Sequence, residues 1–173
     1  MKEHSIIKRD FINLDFASTA VFSSCFNFRY SLTRIWDNGG AKLLFILLNP
    51  SKATEKLSDP TLARCQTRAL LLGYKQFRIC NLFAFRSTSP KLLKATPNIK
   101  GSHNDKIIRK SILWADSIIC SWGSLGTFQN RSSEVLKLLK KSNKNVYHLG
   151  LTKNCQPKHL LYISFNVSPK KWL

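Results

Sequence analysis

Acidic side chains are scarce in this chain: Asp and Glu number 9 against 28 Lys and Arg, a formal net charge of +19 over 173 residues. Several motifs are missing as well. There is no glycine-rich P-loop, no GxGxxG and no GxSxG elbow, and no His or Cys cluster has metal-ligand spacing. These absences weigh against a nucleotide triphosphatase, a dehydrogenase, an ordinary serine hydrolase and a zinc enzyme; no cofactor and no metal are expected. The 5 cysteines are odd in number and irregularly spaced, which argues against a disulfide framework and a paired-thiol zinc site. Cys25, Cys80 and Cys120 lie in apolar runs, where a free thiol acts as a small hydrophobe, as suits a reducing cytosol. No apolar stretch approaches the roughly 18 residues of a membrane span. Met1-Lys2-Glu3-His4 is charged and no signal-type apolar core follows. A cytoplasmic protein without membrane contact is expected. Internal repeats and low-complexity segments are also absent.

What is present is enough apolar residue, 43%, to bury the core of one domain. The positive field draws polyanions and raises their encounter rate. Nucleic acid or a nucleotide is the expected partner, bound through salt-sensitive phosphate contacts. A lysine-rich surface that serves only solubility is the other reading.

Along the chain, residues 1–20 read as an irregular arm or a first helix. Residues 21–36 alternate loosely and suggest a strand or hairpin, closed by the turn signal Asp37-Asn38-Gly39-Gly40. Apolar runs at Leu43–Leu48, Phe77–Cys80, Ser117–Cys120 and Val146–Leu149 predict strands buried on both faces. Asp59-Pro60 has the grammar of a helix start, with Gly73 as its stop. The stretch 83–102 shows no obvious element. Helices are predicted from Ser102 or Asn104 to about Ala115 and within 124–140, and a short element at 160–163. The order β-α-β-α-β-α-β predicts one α/β domain at 21–165. It would be three-layered, with a mainly parallel four-stranded central sheet plus an N-terminal antiparallel strand or hairpin. Residues 166–173 read as a basic tail.

Polar clusters follow these runs. In an open parallel sheet they would converge at the carboxyl ends of the strands, where ligands bind. Asn49 can orient water or pair with a base edge, or form an Asx turn before Pro50. Ser51 can donate to a phosphate. Asp59 either caps its helix or faces the pocket as a base. Arg64 and Arg68 share a helix face and, with Arg86, can form an anion site or a solvated basic face. Asn81, Phe83 and Arg86 suit base stacking plus phosphate binding, unless the Phe is core. Trp122 and Gly123 can wall a pocket or make a tight structural turn. Thr152 and His159 follow the fourth run, and His159 is the best candidate for an acid, a base or a charged stabiliser. Asn104 and Asp105 open a helix.

Several of these pieces together resemble the family called domain of unknown function 1643. They are Arg29-Tyr30-Ser31-Leu32-Thr33-Arg34-Ile35-Trp36, Leu47-Leu48-Asn49-Pro50-Ser51-Lys52-Ala53-Thr54, Asp59-Pro60-Thr61, Asn81-Leu82-Phe83-Ala84-Phe85-Arg86-Ser87-Thr88, Asn104-Asp105, Trp122-Gly123 and Leu149-Gly150-Leu151-Thr152 with Pro157-Lys158-His159. A more distant similarity, in layout, is to the uracil-DNA glycosylase superfamily. It implies that Asn49 positions water, Asn81 reads a base and His159 stabilises the departing base, which such enzymes flip into their pocket. The expected function is action on, or binding of, nucleic acid or nucleotides at the strand ends, with base-excising N-glycosylase chemistry. A non-catalytic nucleic-acid or nucleotide binding module and a hydrolase or transferase for a small anionic metabolite are the alternatives.

Overall fold

A computed structural model describes residues 5–173; the charged Met1–His4 segment lies outside the described residues. The strands are β1 (Ile6–Ile12), β2 (Ala17–Ser23), β3 (Arg29–Ile35), β4 (Lys42–Leu47), β5 (Gln76–Asn81), β6 (Ser117–Cys120), β7 (Asn145–His148) and β8 (Lys170–Lys171). The helices are α1 (Pro60–Leu71), α2 (Pro90–Ala95), α3 (Asn104–Trp114) and α4 (Arg131–Lys140). The eight strands of the described residues form one sheet in the order β1-β2-β3-β5-β4-β6-β7-β8.

The expected mainly parallel four-stranded sheet is corrected here. β5, β4, β6 and β7 pair in parallel, but β1–β2, β2–β3, β3–β5 and β7–β8 are antiparallel. Antiparallel pairings thus outnumber parallel ones, and the fold is a mixed α/β sheet. The segment read as an arm or first helix carries β1 and the first half of β2. Its outermost strand is mostly exposed, so burial leaves little alternation in the sequence to read. Asn13 makes the turn between them, its side chain accepting from the N–H of Asp15 and Phe16.

β4 explains the core. Leu44 and Ile46 enter a cluster on one face with α3 and α4, while Leu43, Phe45 and Leu47 enter a cluster on the other with α1. A strand covered on both faces has no polar side to show, hence its continuous apolar run. Each such side chain contributes about 1.5–3 kcal/mol by burial.

Other local departures have similar causes. α2 lies in the stretch read as featureless and starts on Ser89-Pro90, the Ser89 hydroxyl accepting from Leu92 N–H. The region 124–140 begins as a kinked 3-10 stretch and becomes α-helical at Arg131. The basic tail adds β8 to β7, and Trp172 packs on Trp122 with ring centroids 5.8 Å apart. Cys25 is exposed, and Cys65, Cys80 and Cys120 are the buried thiols. Among the described residues no helix is long and apolar enough to cross a membrane.

Candidate functional site

Asn49, Ser51, Asp59, Asn81 and His159 converge on one small pit, together with Arg29, Thr61, Leu47, Leu62 and Ile79. Its volume is about 30 Å³, room for an ordered water. β4 and β5 deliver the two asparagines at their carboxyl ends, and α1 begins there. β3 runs antiparallel to β5, so its first residue, Arg29, arrives at the end where β5 finishes.

Asn81 is 1% exposed, and neither its amide nitrogen nor its amide oxygen has a hydrogen-bond partner among the described residues. A buried unpaired amide costs about 1–3 kcal/mol per group and calls for an occupant. Its backbone, by contrast, is held. The Asn104 side chain donates to the carbonyls of Asn81 (3.0 Å) and Leu82 (2.9 Å). Arg131, 2% exposed, donates to Leu82 O at 2.8 Å and pairs with Asp105 and Glu134. Asn104 and Asp105 are therefore a brace behind the pit. His103, not Asn104, occupies the cap position.

The loop after β4 is shaped by committed side chains. Asn49 Nδ2 donates to Pro50 O (3.1 Å) and Ser87 O (2.8 Å), which leaves its Oδ1 as the atom a ligand or water can use. Asp59 caps α1 by accepting from Leu62 N–H (2.8 Å) and also accepts from Ala53 N–H (3.2 Å). Cap and pit residue are thus one role and not two alternatives. Arg29 donates to Ala53 O at 2.9 Å while its Nε is unpartnered. Burial brings the Arg29 pKa down to about 10, and the Asp59 charge opposes that fall. Arg86 donates to Ser51 O and Phe26 O at 3.3 Å, so it organises the loop as well as facing solvent.

His159 sits on a tethered segment. Ser121 Oγ donates to Lys158 O (2.6 Å), Gly123 N–H to Pro157 O (2.7 Å) and Lys158 N–H to Gly150 O (2.9 Å). Its Nδ1 accepts from Leu161 N–H at 3.3 Å, which places the proton of the neutral ring on Nε2. Burial pushes its pKa below the usual imidazole value.

Beside the pit lies an open cleft of about 320 Å³ lined by Ser51, Lys52, Arg86, Ser87, Thr88 and Leu92. Ser51 belongs to both. Other expected site residues are elsewhere. Arg64 and Arg68 do not join Arg86: Arg64 donates to Leu160 O and Ile163 O, and Arg68 to Val167 O and Ser164 O, with Phe165 under both guanidinium groups. They clamp the C-terminal segment. Phe83 is core against Phe128. Trp122 is core too, its indole N–H donating to Gln156 at 2.9 Å. Gly123 acts at one remove, through the His159 segment. Thr152 closes its own loop by accepting from and donating to Gln156. Arg29 and Thr61 are the polar pit residues that strand-end reasoning missed. Among the described residues no group of three or more His, Cys, Asp or Glu is placed to hold a metal.

The family model described as protein of unknown function (DUF1643) matches residues 29–161, a span that contains every lining residue of the pit. No curated protein matches the chain. Among solved structures, a Bacteroides fragilis protein with the provisional name acetyl xylan esterase is similar at 12% identity and a TM-score of 0.41. The match covers 94% of this chain and 56% of that one. The chain thus spans little more than half of that protein's length, and similarity of this degree carries no information on activity.

Proposed function

The chain belongs to the family described as protein of unknown function (DUF1643), and because that description names no reaction, we propose from the pit itself that it hydrolyses the bond to a nucleobase in a nucleotide or nucleic acid. The carrying observation is Asn81, whose buried amide offers an unpaired donor and an unpaired acceptor side by side. A lactam or aminopyrimidine edge, with a donor next to an acceptor, complements that pair. The pit has room only for the tip of such an edge; the sugar, the attacking water and the rest of the ligand would lie at its mouth and in the cleft that Ser51 shares. There Lys52 and the Thr88 hydroxyl offer a cationic and a neutral donor to a phosphate.

In this reading Asn49 Oδ1 and the Asp59 carboxylate hold a water. Its oxygen bonds to the sugar carbon, its proton passes to Asp59, and the C–N bond breaks with its electron pair going to the base. His159 donates Nε2–H to the charge developing there, and Arg29 adds a fixed positive charge. The small size of the pit favours a second reading, a hydrolase or transferase for a small anionic metabolite with a compact amide head.

The test is chromatographic detection of free base after incubation with nucleotides, nucleosides and oligonucleotides carrying uracil or another altered base. Release is expected, falling by about a hundredfold in His159→Ala. Binding without release moves the function to a binding module, and neither binding nor release sinks the nucleobase reading.

A further inference from the structure

A larger groove, of about 430 Å³, lies away from the pit, between α3 and the outer strands β1 to β3. α3 covers β3, β4 and β5, so the strands beyond them present one sheet face without a helix over it. Arg78 stands at the centre of this groove. Its Nε donates to Thr33 Oγ1 at 2.9 Å, its Nη1 to Ser111 Oγ at 3.3 Å, and its guanidinium lies 4.3 Å from the centroid of the Trp114 ring. Two hydroxyls and an indole thus fix the plane of the guanidinium. Lys8 and Lys110 stand at the rims, and among the described residues no carboxylate lines the groove. Asp10 lies beside it, tied to Thr19 at 2.6 Å and to Lys8 at 3.2 Å. Between the cations, Val21 and Ile35 supply an apolar surface.

We propose that this groove is a second binding surface, which takes a single strand of nucleic acid with its phosphates on Arg78, Lys8 and Lys110 and a base face on the aliphatic floor. The charge complementarity is local as well as global, since three cations meet here in a chain of net charge +19. A planar guanidinium held by neutral hydroxyls keeps its full charge for an incoming phosphate. Burial lowers the pKa of Arg78, which marks how far its surroundings exclude water. Alternation along β5 puts Arg78 on the face opposite Ile79, which lines the pit. The groove therefore binds independently of the pit and does not rest on the nucleobase reading.

The test is fluorescence anisotropy with a fluorescein-labelled 20-mer oligo-dT at two salt concentrations. The paired variant Lys8→Glu/Lys110→Glu changes only exposed side chains. Lys153→Glu/Lys171→Glu changes the charge equally, away from the groove, with Lys171 at the opposite edge of the sheet. The groove pair should weaken binding about tenfold and flatten the salt slope by about 1.4, two contacts' worth. The control pair should leave it within about twofold. Equal losses in the groove and control pairs would reduce the effect to net charge and overturn the proposal. So would an absence of oligo-dT binding, or equal competition by poly-glutamate, which would make the groove a site for acidic peptides.

Discussion

Asn104 donates its side-chain amide to the main-chain carbonyl of Asn81 at 3.0 Å. One asparagine thereby fixes the backbone of another whose own side chain is left unpaired at the floor of the pit.

Asn104→Ala removes this bond and the one to Leu82. We expect a loss of about 1–3 kcal/mol in a urea titration. A loss under about 0.5 kcal/mol would show that the brace is redundant with Arg131.

Asn81→Leu should do the opposite. It replaces two orphaned polar atoms with apolar ones of similar volume, so stability should rise by about 1 kcal/mol while ligand binding in the pit disappears. A destabilised variant would mean that Asn81 has a structural partner.

Gly123 has φ +73° and ψ −175°, a region nearly reserved for glycine. An added Cβ would meet only His159 Cβ, at 3.7 Å, so backbone strain is the main cost. Gly123→Ala should lose about 1–3 kcal/mol and, by shifting the His159 segment, reduce turnover more than ligand affinity. Equal loss of both would argue against a positioning role.

Burial depresses the pKa of His159, and burial with the nearby charge of Lys170 depresses that of His148. In the window between the lower folded values and about 6.5 the unfolded chain binds more protons. Their contribution to stability is therefore complete above about pH 6.5 and lost as pH falls through the folded values. Tm should drop over that range, and His159→Gln should shrink the drop. A Tm flat from pH 7 to 5 would contradict both shifts. The hydrogen bond from Arg131 holds Glu134 below the usual carboxylate range, so a second loss should follow at more acid pH.

The apolar runs of β4 to β7 were legible because burial on both faces writes itself into every position. The convergence of Asn49, Asn81 and His159 followed from where those runs stop, whereas Asp59 joins them from the start of α1. Arg29 was not legible: only an antiparallel neighbour puts a strand's first residue at that end, and the pairing of β3 with β5 is not written in either strand. Arg64 and Arg68 misled because helical spacing shows which residues share a face, and the carbonyls of residues 160–167 that occupy that face are far away in sequence. Trp122 and Phe83 misled for a plainer reason, since an aromatic at a strand end serves a core as readily as a cleft.

Arg78 and Ile79 are neighbours in β5, one turned to the basic groove and the other to the pit. Two surfaces of opposite aspect are thus keyed to a single reading frame of side chains. Inserting or deleting one residue in this strand would exchange them, sending a guanidinium into the α1 core and an isoleucine to solvent. Length in β5 is consequently an invariant of the molecule, and the Asp37–Gly40 turn shares that constraint, because Gln76 at the start of β5 donates to the carbonyls of Asn38 and Gly40.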